Sequence, residues 1–172
     1  VTSATAIFTS QAWGASDIEN IKKTTATGIK IVATFVFFFE TISFLFPSFL
    51  IGLFTKDSRV IATGSIYLKI VSFSFLPMSI SFIFSYILRT MHFVKISLLA
   101  SFVGLGLNTI LNYFFIFGFL FIPPMGVKGA AIATIIARIV ELLVLLFFIY
   151  LKDLPCAIRL KHFFINEKGF FA

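Results

Sequence analysis

Four stretches of the chain, near 28–54, 60–88, 96–122 and 129–151, run for more than twenty residues each with almost no charge. About 20 apolar helical residues cross a hydrocarbon core about 30 Å thick, so each stretch is long enough to span a bilayer. The runs are too long and too continuous for the alternating, roughly ten-residue strands of a membrane barrel. An all-α integral membrane protein, a multi-helix transmembrane bundle, is therefore predicted. The opening "VTSATAIFTSQAW", 1–13, reads as the last turns of a fifth span. Short polar connectors separate the spans, and the chain from Lys152 onward reads as a polar tail or linker, 152–172. Within "SDIENIKK", Ser16 or Asp17 is placed to cap a helix, with acids ahead of lysines. Pro47 and Pro77 fall inside spans and predict a kink or break at each.

Composition agrees with that pattern: 59% hydrophobic residues, 12% charged, and 26 phenylalanines in 172 residues. Most of those rings are expected to face lipid or pack in the bundle. The net charge of +7 does not point to nucleic acid, because the basic residues are scattered among apolar runs rather than gathered on one face. Their distribution instead predicts orientation. Connectors 14–27 and 89–95 and the tail, with Lys30 just past the first connector, hold Lys22, Lys23, Lys30, Arg89, Lys95, Lys152, Arg159, Lys161 and Lys168, whereas the opposite connectors hold Lys56, Arg59 and Lys128. Lysine and arginine accumulate on the cytoplasmic side, which places 14–27, 89–95 and 152–172 there in a cell (inner or plasma) membrane. One cysteine, Cys156, excludes an internal disulfide and a cysteine-rich metal site. The histidines His92 and His162 lie in loop-like sequence as interfacial residues. No metal set, nucleophile–base pair or cofactor motif is present, so an enzyme is not expected. No signal peptide is visible and the chain begins without Met, so it reads as a piece of a longer polypeptide.

The polar residues inside the spans carry the chemistry. Ser97, Ser101, Gly104, Asn108 and Asn112 recur at steps of three and four, one stripe of a helix. They serve either as interhelical hydrogen bonds or as the wall of a polar cavity for a cation or substrate. In the last span Ala130, Thr134, Ala137, Arg138 and Glu141 form a second stripe, and Gly129, Ala133 and Ala137 permit close approach of another helix. Arg138 and Glu141 are three residues apart and are expected to form an intramembrane ion pair, with release of Glu141 by a conformational change as the functional alternative. Glu40 stands about twelve residues into its span with no basic residue within a turn. At that depth its neutral form is favoured, as a proton acceptor, a hydrogen-bonding group or a lumen-lining specificity residue. Lys69 can reach the outer interface with its long stem.

Four segments carry a resemblance: "FTSQAWGASDIENIKK", "FTKDSRVIATGSIYLKI", "LRTMHFVKISLLASFVGLGLNTILNYFFIFG" and "PPMGVKGAAIATIIARIVE". In this order and spacing they resemble the multidrug and toxic compound extrusion (MATE) transporters, from the end of helix two through helix six of the first lobe. The resemblance implies part of one six-helix lobe of a two-lobe transporter over 1–151, with the start of the inter-lobe connection at 152–172. It further implies alternating-access export of small organic cations in exchange for Na⁺ or H⁺, with the remaining lobe and the lipid bilayer as partners. Asn108 and Thr134 match positions of the family's first-lobe cation site. Asn112 matches a position that is an aspartate in prokaryotic members, so the titratable group is missing there. The site's other aspartate is expected on helix one, so coupling falls to Glu40, grouped here with that cation and substrate cavity, to that helix or to the second lobe. Two other readings stand beside this one. A related flippase would move lipid-linked saccharides and would call for more basic residues in the cavity. A non-transporting structural membrane protein would have no use for two continuous polar stripes.

Overall fold

The structure, a computed structural model, describes residues 1–118 and 123–158. It contains seven α-helices and one short 3-10 turn, with no strand among the described residues. The helices are α1 (Thr2–Gly14), α2 (Ile18–Leu45), α3 (Pro47–Gly52), α4 (Ser58–Val71), α5 (Phe75–Thr90), α6 (Val94–Phe117) and α7 (Val127–Leu151). Four segments are long and apolar enough to cross a membrane: Ile18–Leu45, Ser58–Thr90, Val94–Phe117 and Val127–Leu151. The last expected span, 129–151, differs from α7 by two residues at its start. The end of the expected span 96–122, and the basic residues Arg159, Lys161 and Lys168 with His162, lie outside the described residues.

The first connector differs most from expectation. Residues 18–27 are helical, the opening turns of α2, which leaves a link of Ala15–Asp17 in place of the loop 14–27. Asp17 starts the helix by accepting a hydrogen bond from the Asn20 backbone N–H at 3.0 Å, and Glu19 sits in the first turn, where the helix dipole favours an acid. Tertiary packing sustains these turns, because Ile21, Thr24 and Thr25 are buried. At the other end α2 stops at Leu45, and Pro47 begins α3 at its first position, where no donor is needed. Pro77 lies in the first turn of α5 and cannot donate to the Phe73 carbonyl, so the helix tightens to a 3-10 turn at Ser72–Ser74. Ser72 and Ser74 donate their hydroxyls to Lys69 O and Val71 O at 2.9 and 2.7 Å, which keeps both side chains satisfied inside the membrane.

Three helix ends share one device. Ser16, His92 and Asp153 have φ of 59°, 65° and 43°. After each, an amide turns back five residues: Asp17 to Ala12 O, Phe93 to Leu88 O and Leu154 to Ile149 O, at 2.8–3.0 Å. This is the left-handed stop usually built with glycine. A side chain in that conformation costs about 1–2 kcal/mol. The apolar cluster packed around these ends offsets that cost: Ala12, Ile21, Leu88, Met91 and Ile149 are all at most 4% exposed.

Leu154, Cys156, Ala157 and Ile158 complete the cluster, so the first residues of the expected polar tail fold back as a buried plug. Tyr150 Oη donates to Ile158 O at 2.6 Å and fixes the return. Burial pushes the Cys156 thiol up to about 12, from an ordinary value of 9.0. Between these values only the unfolded chain loses the proton, so the stability held below pH 9 is expected to decline as pH rises toward 12. Maleimide labelling at pH 8 should be slow in the folded protein and at least about a hundredfold faster in denaturant, because the reactive thiolate is suppressed. Comparable rates would show that the plug is open.

At the opposite end the packing thins. Phe35, Phe37, Phe38, Phe39, Phe46, Phe49 and Phe54 are 59–88% exposed, an arrangement suited to hydrocarbon rather than water.

Candidate functional site

The two polar stripes meet along the contact between α6 and α7. Ser101 Oγ donates to Glu141 Oε1 at 3.3 Å, and Asn108 Nδ2 donates to Thr134 Oγ1 at 3.4 Å. The step from 101 to 108 on α6 mirrors that from 141 to 134 on α7, as an antiparallel pair requires. Asn112 Nδ2 donates to Asn108 Oδ1 at 3.0 Å, and Thr134 donates to Ala130 O at 2.9 Å. Ser97, at the far end of the stripe, accepts from Arg89 Nε of α5 at 3.3 Å.

Small residues make the seam possible. A Cβ on Gly104 would lie 3.0 Å from Glu141 Cβ and 3.1 Å from Oε2, so this glycine leaves room for the carboxylate. A Cβ on Gly129 would lie 2.5 Å from the carbonyl oxygen of Phe115, on α6. Ala133 and Ala137, on the same ridge of α7, are buried. The small-residue series anticipated at Gly129 thus meets α6 directly.

Arg138 and Glu141 form the expected pair, Nη1 to Oε2 at 2.7 Å. Glu141 is enclosed, with its side chain 6% exposed, whereas that of Arg138 is 37% exposed. One carboxylate oxygen takes the guanidinium and the other takes Ser101, so the acid ties the two helices together. One acceptor stays open: Asn112 Oδ1 is buried without a hydrogen-bond donor among the described residues.

Glu40 is not brought to this seam. It sits on α2, whose packing neighbours are α1, α3, α4, α5 and the 3-10 turn. There it lines a cleft with Phe37, Thr41, Phe44, Leu45 and Phe73. Grouping it with Asn108, Asn112 and Thr134 followed from its charge and depth, neither of which specifies the direction in which a helix faces. Two contacts had no signal in the sequence. Arg89 reaches Ser97 across a helix–helix turn, and Lys69 Nζ rests over the Phe44 ring, 4.8 Å from its centroid. Among the described residues no group of three His, Cys, Asp or Glu could hold a metal ion.

The arrangement is similar to known transporters. A solved chain described as the inward-facing conformation of a multidrug resistance MATE family transporter of the MOP superfamily superposes with a TM-score of 0.82 over 95% of this chain and 37% of that one. At 20% identity this likeness shows the fold. The probable multidrug resistance protein NorM of Thermotoga maritima is 31% identical over 105 residues, which cover 60% of this chain and 23% of that relative. The chain therefore spans well under half the length of the proteins it matches. Its spans and their fold are those of a multi-pass membrane protein. The family model for MatE matches residues 1–114, about two thirds of the sequence, and the chain belongs to that family.

Proposed function

We propose that the chain forms part of the first lobe of a secondary transporter that exports cationic organic compounds in exchange for Na⁺ or H⁺ by alternating access. The α6–α7 seam is its coupling site. One observation carries this reading: the buried Oδ1 of Asn112, without a donor among the described residues, beside the Asn108 amide and the Thr134 hydroxyl. A buried acceptor without a donor is costly and is relieved by a cation, and uncharged oxygens are ligands for a hard ion. An amide cannot take up a proton at this point, which favours Na⁺ over H⁺ at the seam. Relatives named as multidrug resistance proteins support the cargo, and the lysine and arginine distribution supports a cytoplasmic side for the link at 15–17, the connector 89–95 and the tail. The saccharide-flippase reading needs free positive charge in the cavity, and the Arg138–Glu141 pair supplies none.

The test is efflux of a fluorescent organic cation from cells lacking their own pumps, expressing the complete coding sequence that carries this chain, with Na⁺ and pH varied. Asn112→Leu is expected to weaken Na⁺-driven efflux about tenfold, the equivalent of one lost ligand of about 1.4 kcal/mol. Asn112→Asp should add a pH dependence. Efflux indifferent to both substitutions would place coupling elsewhere.

A further inference from the structure

A second polar feature lies outside the α6–α7 seam, among the exposed phenylalanines of α2. A cleft of about 210 Å³ is lined by Phe37, Glu40, Thr41, Phe44, Leu45 and Phe73. Its wall is apolar apart from one carboxyl and one hydroxyl, and the Thr41 hydroxyl is already committed to Phe37 O at 2.7 Å. Glu40 is half-buried and forms no hydrogen bond or ion pair among the described residues. Phe44 and Phe73 stand edge to face, with ring centroids 5.5 Å apart at 69°.

Each part of this wall selects for the same ligand chemistry. Aromatic faces are electron-rich and attract cations, most strongly where water is excluded. In an apolar wall a carboxyl ionises only against a counter-charge, which a bound cation supplies. An anion is repelled by both features, and a neutral amphiphile leaves the carboxyl without a partner. Phe44 already receives a cation on its face, the Lys69 ammonium, although that lysine forms no ion pair with Glu40. The charged groups at the cleft are thus an acid without a partner and a base resting on the ring beside it.

We propose that this cleft is a lateral capture site for an amphipathic organic cation dissolved in the bilayer, with Glu40 as its counter-ion, Phe37, Phe44 and Phe73 as its aromatic wall, and Lys69 as a tethered competitor for the Phe44 face. The cleft takes the charged head and one apolar arm, and the rest of the molecule stays in lipid. The inference rests on α2 and its neighbours and is independent of ion coupling at Asn112.

The experiment uses the protein from the complete coding sequence in lipid nanodiscs, a benzophenone-bearing triphenylphosphonium as photoreactive probe, and peptide mass spectrometry to map the label. Label is expected within residues 37–45 and at Phe73. Glu40→Gln should lower it about tenfold and Lys69→Gln should raise it several-fold, as loss of a counter-ion and of a competitor require. Asn112→Leu should leave it unchanged. Should Glu40→Gln fail to fold, Phe44→Leu removes the ring face and should lower the label equally. Label confined to α6 and α7 would overturn the proposal while leaving the coupling site intact. Parallel losses in Glu40→Gln and Lys69→Gln would show a merely structural pair and overturn it too. Protection by phosphatidylethanolamine, compared with phosphatidylglycerol alone, would assign the cleft to a lipid amine and equally overturn it.

Discussion

Gly129→Ala is expected to destabilise the protein by about 3 kcal/mol or more, the upper end of what overpacking a tight contact costs. The new methyl carbon would fall 2.5 Å from Phe115 O and 2.6 Å from its carbonyl carbon, closer than atoms can approach. A flexible side chain could turn away, but backbone cannot, so α7 has to move off α6. That motion also weakens the amide bonds from Met125 to Phe115 O and from Gly126 to Ile116 O, 2.9 and 3.3 Å long, which tie the start of α7 to the end of α6. Gly28→Ala is expected to cost a comparable amount. Its added carbon meets Thr5 Oγ1 and Cγ2 at 2.5 and 2.7 Å, and every rotamer of this β-branched side chain leaves a heavy atom in the way, so α1 has to move off α2. Thermal unfolding in detergent, followed by circular dichroism, measures both. A Gly129→Ala protein as stable as the parent would mean that the helices are not this close.

Glu141→Ala is expected to cost about 2–4 kcal/mol, because it leaves a guanidinium near mid-membrane without its counter-charge. The figure lies below that for a fully buried pair, since the Arg138 side chain is 37% exposed and finds some relief there. The carboxylate also accepts from Ser101, so the same substitution removes a link from α7 to α6. Adding Arg138→Ala should recover most of the loss, which would separate the unpaired charge from the lost link. Stabilities that simply add in this double-mutant cycle would show the pair to be unimportant. Glu141→Gln keeps the shape and one acceptor and should fall between the two.

These two sites show where the residue pattern was sufficient. The i,i+3 spacing of Arg138 and Glu141 made a pair geometrically required on any helix, and that pair is formed. The stripe from Ser97 to Asn112 had to share one face, and the stripe containing Thr134 another, because helical periodicity is local. Asp17, Pro47 and Pro77 likewise act through their own backbone, as a cap, a first-turn residue and a break.

Other features had no local signature. The left-handed stops at Ser16, His92 and Asp153 carry no glycine, and they exist because apolar packing around them outweighs a conformational cost. The plug from Leu154 to Ile158 follows a charged Lys152–Asp153 step that suggested departure into water, yet the cluster it joins has room for it. Residues 18–27 are helical for the same reason. Glu40 could be given a depth but not a direction, so its separation from Asn108, Asn112 and Thr134 emerged only once α2 was packed.

The sequence by itself determined that the chain is a bundle of membrane helices, which faces of those helices are polar, and which acid neutralises Arg138. Hydropathy, helical period and spacing act within one element and need no neighbour. The tertiary structure alone decided which face meets which, that Asn112 Oδ1 has no donor among the described residues, and that Glu40 and Lys69 flank an aromatic cleft of their own. Those outcomes depend on how helices rotate and approach, which is set by close contacts such as Gly129 against Phe115 rather than by any one segment's pattern.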